Sequence, residues 1–266
     1  MTILDKILAV KREELRAAYG NRTRLMIAAQ HSAERRRLLE RRSLVDALRR
    51  APGAPVRVLA EIKRASPSAG PIRPGADAVA IAREYAEAGA AAISVLTDRQ
   101  FFDGDLDFLL PCREAVAVPL LRKDFLIEPV QIGEARYAGA DAILLIAAAL
   151  APLQLQSMLR EARDLEVDAL VEVHTLDELD VALSAPVAPR LIGVNHRDLR
   201  TFAIDMTLTE QIAKRVPAGT VLVAESGIKT AADVRRLGDA GAHAVLVGET
   251  LMRAPSPGAA LKELLA

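Results

Sequence analysis

Three near-copies of one phrase predict an α/β fold closed into a single-domain (β/α)8 barrel. They are EAGAAAISVL at 87–96, YAGADAILLI at 137–146 and DAGAHAVLVG at 239–248. Each copy runs from the end of a helical stretch, through a glycine that can stop a helix, into a short apolar strand. The copies lie about 50 and then about 100 residues apart, which leaves room for one and two intermediate units. The second observation fills those gaps. VRVLAEIK (56–63), VPLLRKD (118–124), DALVEVH (168–174), RLIGVN (190–195) and TVLVAES (220–226) are equally short and rich in Val, Leu and Ile. The third observation is the helical patterning between strands, as in DAVAIAREYAEAG and PVQIGEARYAG. Near-continuous apolar strands are buried on both faces, as in a parallel sheet covered by helices. Eight such units in 266 residues fit one barrel. An open doubly wound sheet carries a glycine-rich turn after its first strand, whereas this first strand runs into Lys-Arg-Ala-Ser-Pro-Ser. We therefore expect one domain over 1–266: a barrel from 51 to 266, and an N-terminal helical extension over 1–50 packed outside it.

Composition narrows the function classes. The chain is 51% hydrophobic and formally neutral, so overall charge points to no particular partner. The first 50 residues hold 13 Lys and Arg against 6 Asp and Glu, a pattern that reads as solvated helices. Tyr19 is the only aromatic among them, too little for a surface that stacks single-stranded nucleic acid. We expect no nucleic-acid partner. The single cysteine, Cys112, excludes an internal disulfide and a cysteine-rich metal site. Histidines 31, 174, 196 and 243 have no ligand-like spacing, so no metal is expected. The longest apolar run, AILLIAAALAPL, is about a dozen residues and contains Pro152, short of a bilayer span. The N-terminus alternates charged with apolar residues and has no signal-peptide core. The expectation is a cytoplasmic protein with no membrane contact.

Barrel chemistry sits at the C-terminal ends of strands, and residues two apart on a strand share a face. Taken in order, the strand ends are polar. Strand one ends with Glu61 and Lys63 in line with Leu59. Strand three places Lys123 in line with Leu121, and strand five places Glu172 in line with Leu170 and His174. Strand six ends with Asn195, followed by Arg197, and strand seven with Glu225-Ser226-Gly227. The opposite strand ends are expected to stay apolar. Gathered at one mouth, three carboxylates, two ammonium groups and an amide shift one another's pKa values in both directions. Such a set suits repeated proton transfers on an anionic substrate. There is no cofactor motif and no Ser/His/Asp arrangement.

The last two strands supply a phosphate site. Ser226 and Gly227 close strand seven, Gly248 closes strand eight, and a short helix pattern opens at Glu249. Barrels commonly hold phosphate in these loops with exposed backbone N–H groups, and a glycine lets the backbone approach. Ser66 and Ser68 can close the site from the other side. Glu249 suits an anion site only if its side chain turns away.

In that order, EIKRASPS, LTDRQFFDG, LLRKDF, ADAILLIAAAL, LVEVH, GVNHRDL and AESGI resemble the indole-3-glycerol phosphate synthase family, from ILDKILAVKREE to LVGETLM. The resemblance implies a single-domain TIM barrel with an N-terminal extension and no cofactor. It implies ring closure, decarboxylation and dehydration of 1-(2-carboxyphenylamino)-1-deoxyribulose 5-phosphate in tryptophan biosynthesis. By the same resemblance Lys123 is the general acid for the C2 carbonyl oxygen. Lys63 would hold the substrate carboxylate or phosphate and assist dehydration. Glu172 and Glu61 are the candidates for the dehydration's base and acid, in either assignment. Asn195 and Glu225 would bind hydroxyls and orient the lysines. Ser66, Ser226, Gly227, Gly248 and the backbone of Glu249 would take the phosphate, with Arg197 at the mouth. Phe125 and Leu144, with Phe101 or Phe102, would wall the anthranilate ring. Burial beside another cation is expected to lower a catalytic lysine toward neutrality. A monomer or weak homodimer is expected.

Three positions depart from the family pattern. His196 stands for a second asparagine and should point away from Asn195, to pack or cap. Ala224 replaces a common serine, and Pro-Gly-Ala-Asp (74–77) replaces an aromatic-Asp-Pro. Two other readings compete. A phosphoribosylanthranilate isomerase-like barrel would need a Cys/Asp acid–base pair at strand ends, and Cys112 reads as helical. A non-catalytic barrel kept as a binding partner would have no need of both lysines.

Overall fold

The computed structural model describes residues 2–20, 40–198 and 200–266. Eight parallel strands close on themselves: β1 (Arg57–Ile62), β2 (Ala92–Leu96), β3 (Leu120–Lys123), β4 (Ala142–Ile146), β5 (Asp168–Val173), β6 (Leu191–Asn195), β7 (Val221–Glu225) and β8 (Ala244–Val247). Around the barrel the order is β1-β8-β7-β6-β5-β4-β3-β2, so every strand pairs on both sides and no edge is left. All eight apolar runs become barrel strands. The repeated glycines act as read: Gly89, Gly139 and Gly241 sit at φ of 98°, 98° and 104°. A side chain resists that left-handed conformation, and a glycine there ends the helix.

Burial on both faces follows from alternation. Val58, Ala60 and Ile62 of β1 pack outward into the layer between strands and helices. Leu59 points inward with Leu121, Leu144, Leu170, Leu191 and Val223. Side chains fill the barrel from its lower end and meet the polar layer at its upper end.

Two helices of the described extension sit at the two ends of the barrel. Helix α1 (Ile3–Tyr19) starts with a capping box at Thr2 and Asp5 and lies at the upper mouth. Helix α2 (Leu44–Leu48) plugs the lower end: Leu44, Val45 and Leu48 are at most 1% exposed and join the inner cluster. Nor are the lower strand ends wholly apolar. Asp168 accepts from Val45 N at 3.1 Å and Arg41 Nη2 at 2.7 Å. Asp141 pairs with Arg113 at 2.6 Å and accepts from Arg42 N at 3.0 Å. A plug helix brings backbone N–H groups to the barrel floor, and buried donors require acceptors. Leu48→Ala should destabilise the chain by about 2–5 kcal/mol, the range for removing a fully buried leucine. Urea unfolding at matched m-values reads it.

Candidate active site

The upper ends of the strands enclose one cavity of about 820 Å³. All fourteen side chains or backbone positions singled out for catalysis and binding line it: Glu61, Lys63, Ser66, Lys123, Phe125, Leu144, Glu172, Asn195, Arg197, Glu225, Ser226, Gly227, Gly248 and Glu249. Phe102 of the loop after β2 joins them, whereas Phe101 does not. Cys112 is fully buried in the helix Leu109–Ala115, outside the cavity lining, which removes the thiol that the isomerase reading needs.

Lys123 is the hub. Its Nζ lies 2.8 Å from Glu225 Oε2, 3.4 Å from Glu172 Oε2 and 3.8 Å from Glu61 Oε2. Lys63 Nζ donates to Glu61 Oε1 at 2.5 Å. Asn195 Nδ2 donates to Glu172 Oε1 at 3.2 Å, while its Oδ1 accepts from Ser226 Oγ at 2.8 Å and Arg197 N at 3.1 Å. A continuous polar chain therefore runs from β1 through β3, β7 and β5 to β6. Glu61, Glu172 and Glu225 are each at most 4% exposed, so their charges are felt at low dielectric.

Burial opposes the charge on Lys123, but Glu225, Glu172 and Glu61 outweigh it and hold the ammonium far above its usual range. This reverses the expectation of a lowered lysine: its nearest charges are carboxylates, not another cation. The carboxylates separate. Burial pushes Glu225 up to about 7, against the pull of Lys123 and with a push from Glu172. Burial would raise Glu172 too, yet Lys123 and His174 hold it well below the carboxylate range. Glu61 is likewise lowered, burial being outweighed by Lys63 and Lys123. Paired carboxylates pushed apart in this way can hold and accept protons at the same pH.

Two glycines make room for the carboxylates. A Cβ on Gly193 would fall on Glu225 Oε1, and one on Gly248 would fall on Glu61 Oε1. Glu225 Oε1 is buried without a hydrogen-bond partner among the described residues. One lobe of the cavity is lined by Ser66, Ser226, Gly227 and Gly248. Ser226 and Gly227 adopt φ of 71° and 80°, and a non-glycine residue held there is strain of the kind that gathers at functional sites. Glu249 turns aside to Arg253 Nε at 2.9 Å. Arg253 also lines the cavity, and sequence reading missed it because arginine on a short surface helix carries no signal. Phe102 and Phe125 pack with centroids 6.0 Å apart, forming the apolar wall with Leu144.

The loop after β1 is anchored despite its altered sequence. The Arg64 guanidinium donates to Ala76 O, and Arg73 reaches Ala254 O at 2.8 Å. Asp77 caps the helix Ala78–Glu87. His196 packs as expected, 3% exposed, with Nδ1 3.0 Å from Ser226 O and Nε2 2.7 Å from Thr209 Oγ1. Lys11 carries no signal of its role in the sequence. From α1 it reaches Asp98 at 3.2 Å and Asp124 at 3.0 Å, on the loops after β2 and β3. It thereby fastens a helix whose Ile3, Leu4 and Ile7 line the cavity.

A family model described as indole-3-glycerol phosphate synthase matches residues 4–264. The chain belongs to this family. The indole-3-glycerol phosphate synthase of Albidiferax ferrireducens is 48% identical over 99% of this chain and 98% of its own length. That of Carboxydothermus hydrogenoformans is 45% identical over 99% of each. Among solved structures, 3-hexulose-6-phosphate synthase superposes with a TM-score of 0.61 at 17% identity, covering 79% of this chain and 98% of that one. Orotidine 5'-phosphate decarboxylase from Pyrococcus horikoshii gives 0.60 at 14% identity, covering 78% and 97%. These two share the barrel alone. As an indole-3-glycerol phosphate synthase the chain is a carboxy-lyase of tryptophan biosynthesis, acting on a small phosphosugar substrate. That assignment sets aside both the isomerase and the non-catalytic reading.

Proposed function

We propose that Lys123 protonates the substrate's C2 carbonyl oxygen while the anthranilate carbon that bears the carboxylate attacks C2. The bonding of Lys123 supports this: one ammonium group, buried among three carboxylates, shares a cavity with a glycine-lined lobe and an aromatic wall. Its raised pKa does not prevent donation, because the carbonyl oxygen becomes an alkoxide, far more basic than an amine, as the carbon–carbon bond forms. Loss of carbon dioxide then restores the aromatic ring. In the dehydration the C2 hydroxyl leaves as water and a proton of the new five-membered ring is taken up. Glu172, held ionised, suits the base, and Lys63, paired with Glu61, suits the acid that assists the hydroxyl. Glu225 and Asn195 orient Lys123 and Glu172 and meet the substrate hydroxyls. Ser66, Ser226, Gly227, Gly248 and the backbone of Glu249 take the phosphate, while Arg197 faces the substrate from the mouth. Phe125 and Leu144 wall the ring.

The reading extends to the chain as one barrel domain, working without cofactor, nucleic acid or membrane, in the cytoplasm, as a monomer or weak homodimer. No helix among the described residues is long and apolar enough to cross a membrane. Incubating the purified chain with the carboxyphenylamino-deoxyribulose phosphate should produce indole fluorescence above a small background, since the protein has no tryptophan. No signal at micromolar enzyme contradicts the reading. Lys11→Met should free α1 and raise KM about tenfold or more, about 1.4 kcal/mol of binding. Its kcat should stay within about threefold, because Lys11 has no contact with the proton-transfer groups. Steady-state kinetics separates the two effects.

A further inference from the structure

At the end of β5, His174 is not among the residues that line the cavity, and the proposed mechanism gives it no task. Its side chain is 5% exposed. Nε2 lies 3.2 Å from Glu172 Oε1, and Nδ1 lies 3.2 Å from Glu178 Oε2. Among the described residues Nε2 has no aligned hydrogen bond, and its polar contact is the ion pair with Glu172. The same Glu178 oxygen accepts the backbone N–H of His174 at 2.7 Å. Glu178 is itself fixed in the first turn of the helix Leu176–Leu183, where its N–H donates to Thr175 Oγ1 at 3.1 Å.

A neutral imidazole carries one N–H and one lone pair. Between two carboxylates, either neutral tautomer turns a lone pair toward an anion. Only the doubly protonated ring satisfies both sides. We propose that His174 is a positioning residue of this reaction: an imidazolium clamped by Glu178 that keeps Glu172 ionised and directed at Lys123. The inference rests on the reading of Lys123 as proton donor. When Lys123 gives up its proton, Glu172 loses the charge that faces its Oε2, and His174 supplies a cation that turnover does not consume. Burial works against a charge on the ring, but Glu172 and Glu178 bring it up to about 10. Among the described residues, those two carboxylates are the charged groups in ion-pair contact with it. The turn Ala147–Ala149, packed against both β5 and the helix, contributes only alanine.

Nitrogen-15 NMR of the histidine-labelled full chain tests the charge without reference to turnover. One imidazole should keep both ring nitrogens protonated at pH 8 and beyond pH 9, and His174→Gln should abolish that signal. Absence of a doubly protonated ring above pH 8 overturns the proposal. The pH profile of kcat tests the role, since it reports groups in the substrate complex. His174→Gln should move the acid limb upward by about one unit or more, so that at a fixed pH on that limb turnover falls about tenfold and recovers as pH rises. Glu178→Gln, which leaves the ring in place, should shift the limb the same way by less. It should also lower the pH at which the NMR signal disappears, and it serves alone should His174→Gln fail to fold. An unchanged profile, or a loss equal at every pH, overturns the role. If Lys123 is not the donor, the imidazolium signal survives while the Lys123 variant turns over normally, which separates the two failures.

Discussion

Replacing Lys123 by methionine should leave the barrel folded and lower turnover at least about a hundredfold, the lower end of what a positioned acid contributes. That loss corresponds to about 3 kcal/mol of transition-state stabilisation. Methionine matches the length of the lysine stem and cannot donate a proton. Removing a buried cation usually destabilises by leaving its partner unpaired. Here the penalty has an outlet: Glu225, already pushed up to about 7, takes a proton and stays neutral. Circular dichroism and urea unfolding should therefore remain close to the parent's, while kcat collapses. Turnover within about threefold of the parent would remove Lys123 from the mechanism.

Gly248→Ala should be nearly as costly, for a reason invisible in the chemistry of glycine itself. The added methyl would occupy the position of Glu61 Oε1 and crowd Glu61 Cβ at 3.1 Å. Glu61 must then swing away, which breaks its bond to Lys63 and removes one of the three carboxylates around Lys123. The same methyl would stand at the lobe assigned to the phosphate. Both kinetic parameters should suffer: KM up and kcat down, each about tenfold or more, with kcat/KM at least about a hundredfold lower. An alanine variant with parental KM and kcat would show that neither the phosphate nor Glu61 needs that space.

The barrel was legible because its parts repeat. Glycine at the helix ends and Val, Leu and Ile runs buried on both faces carry their own signals, and each run became a strand. The polar mouth was legible for a related reason: a charge in line with an inward leucine has nowhere to go but the barrel axis, so Glu61, Lys123 and Glu172 could be placed by parity. The features missed are contacts between distant segments. Lys11 looks like one charge on an amphipathic helix until α1 is set against the loops holding Asp98 and Asp124. Gly193 gives no sign that it clears space for Glu225, which is 32 residues away in sequence. The direction of the Lys123 shift was misjudged because sequence shows which charges are present, not which are nearest. Asp141 and Asp168 at the barrel floor were passed over because their partners, Arg113, Arg42 and the α2 backbone, come from other elements.

The most direct measurement is a crystal structure of the Lys123→Met variant with the carboxyphenylamino-deoxyribulose phosphate bound. The account predicts phosphate against Gly227 and Gly248, the aromatic ring beside Phe125, and the C2 oxygen about 3 Å from the position vacated by Nζ. A substrate whose C2 oxygen faces solvent, or whose phosphate lies at another rim of the barrel, would contradict it.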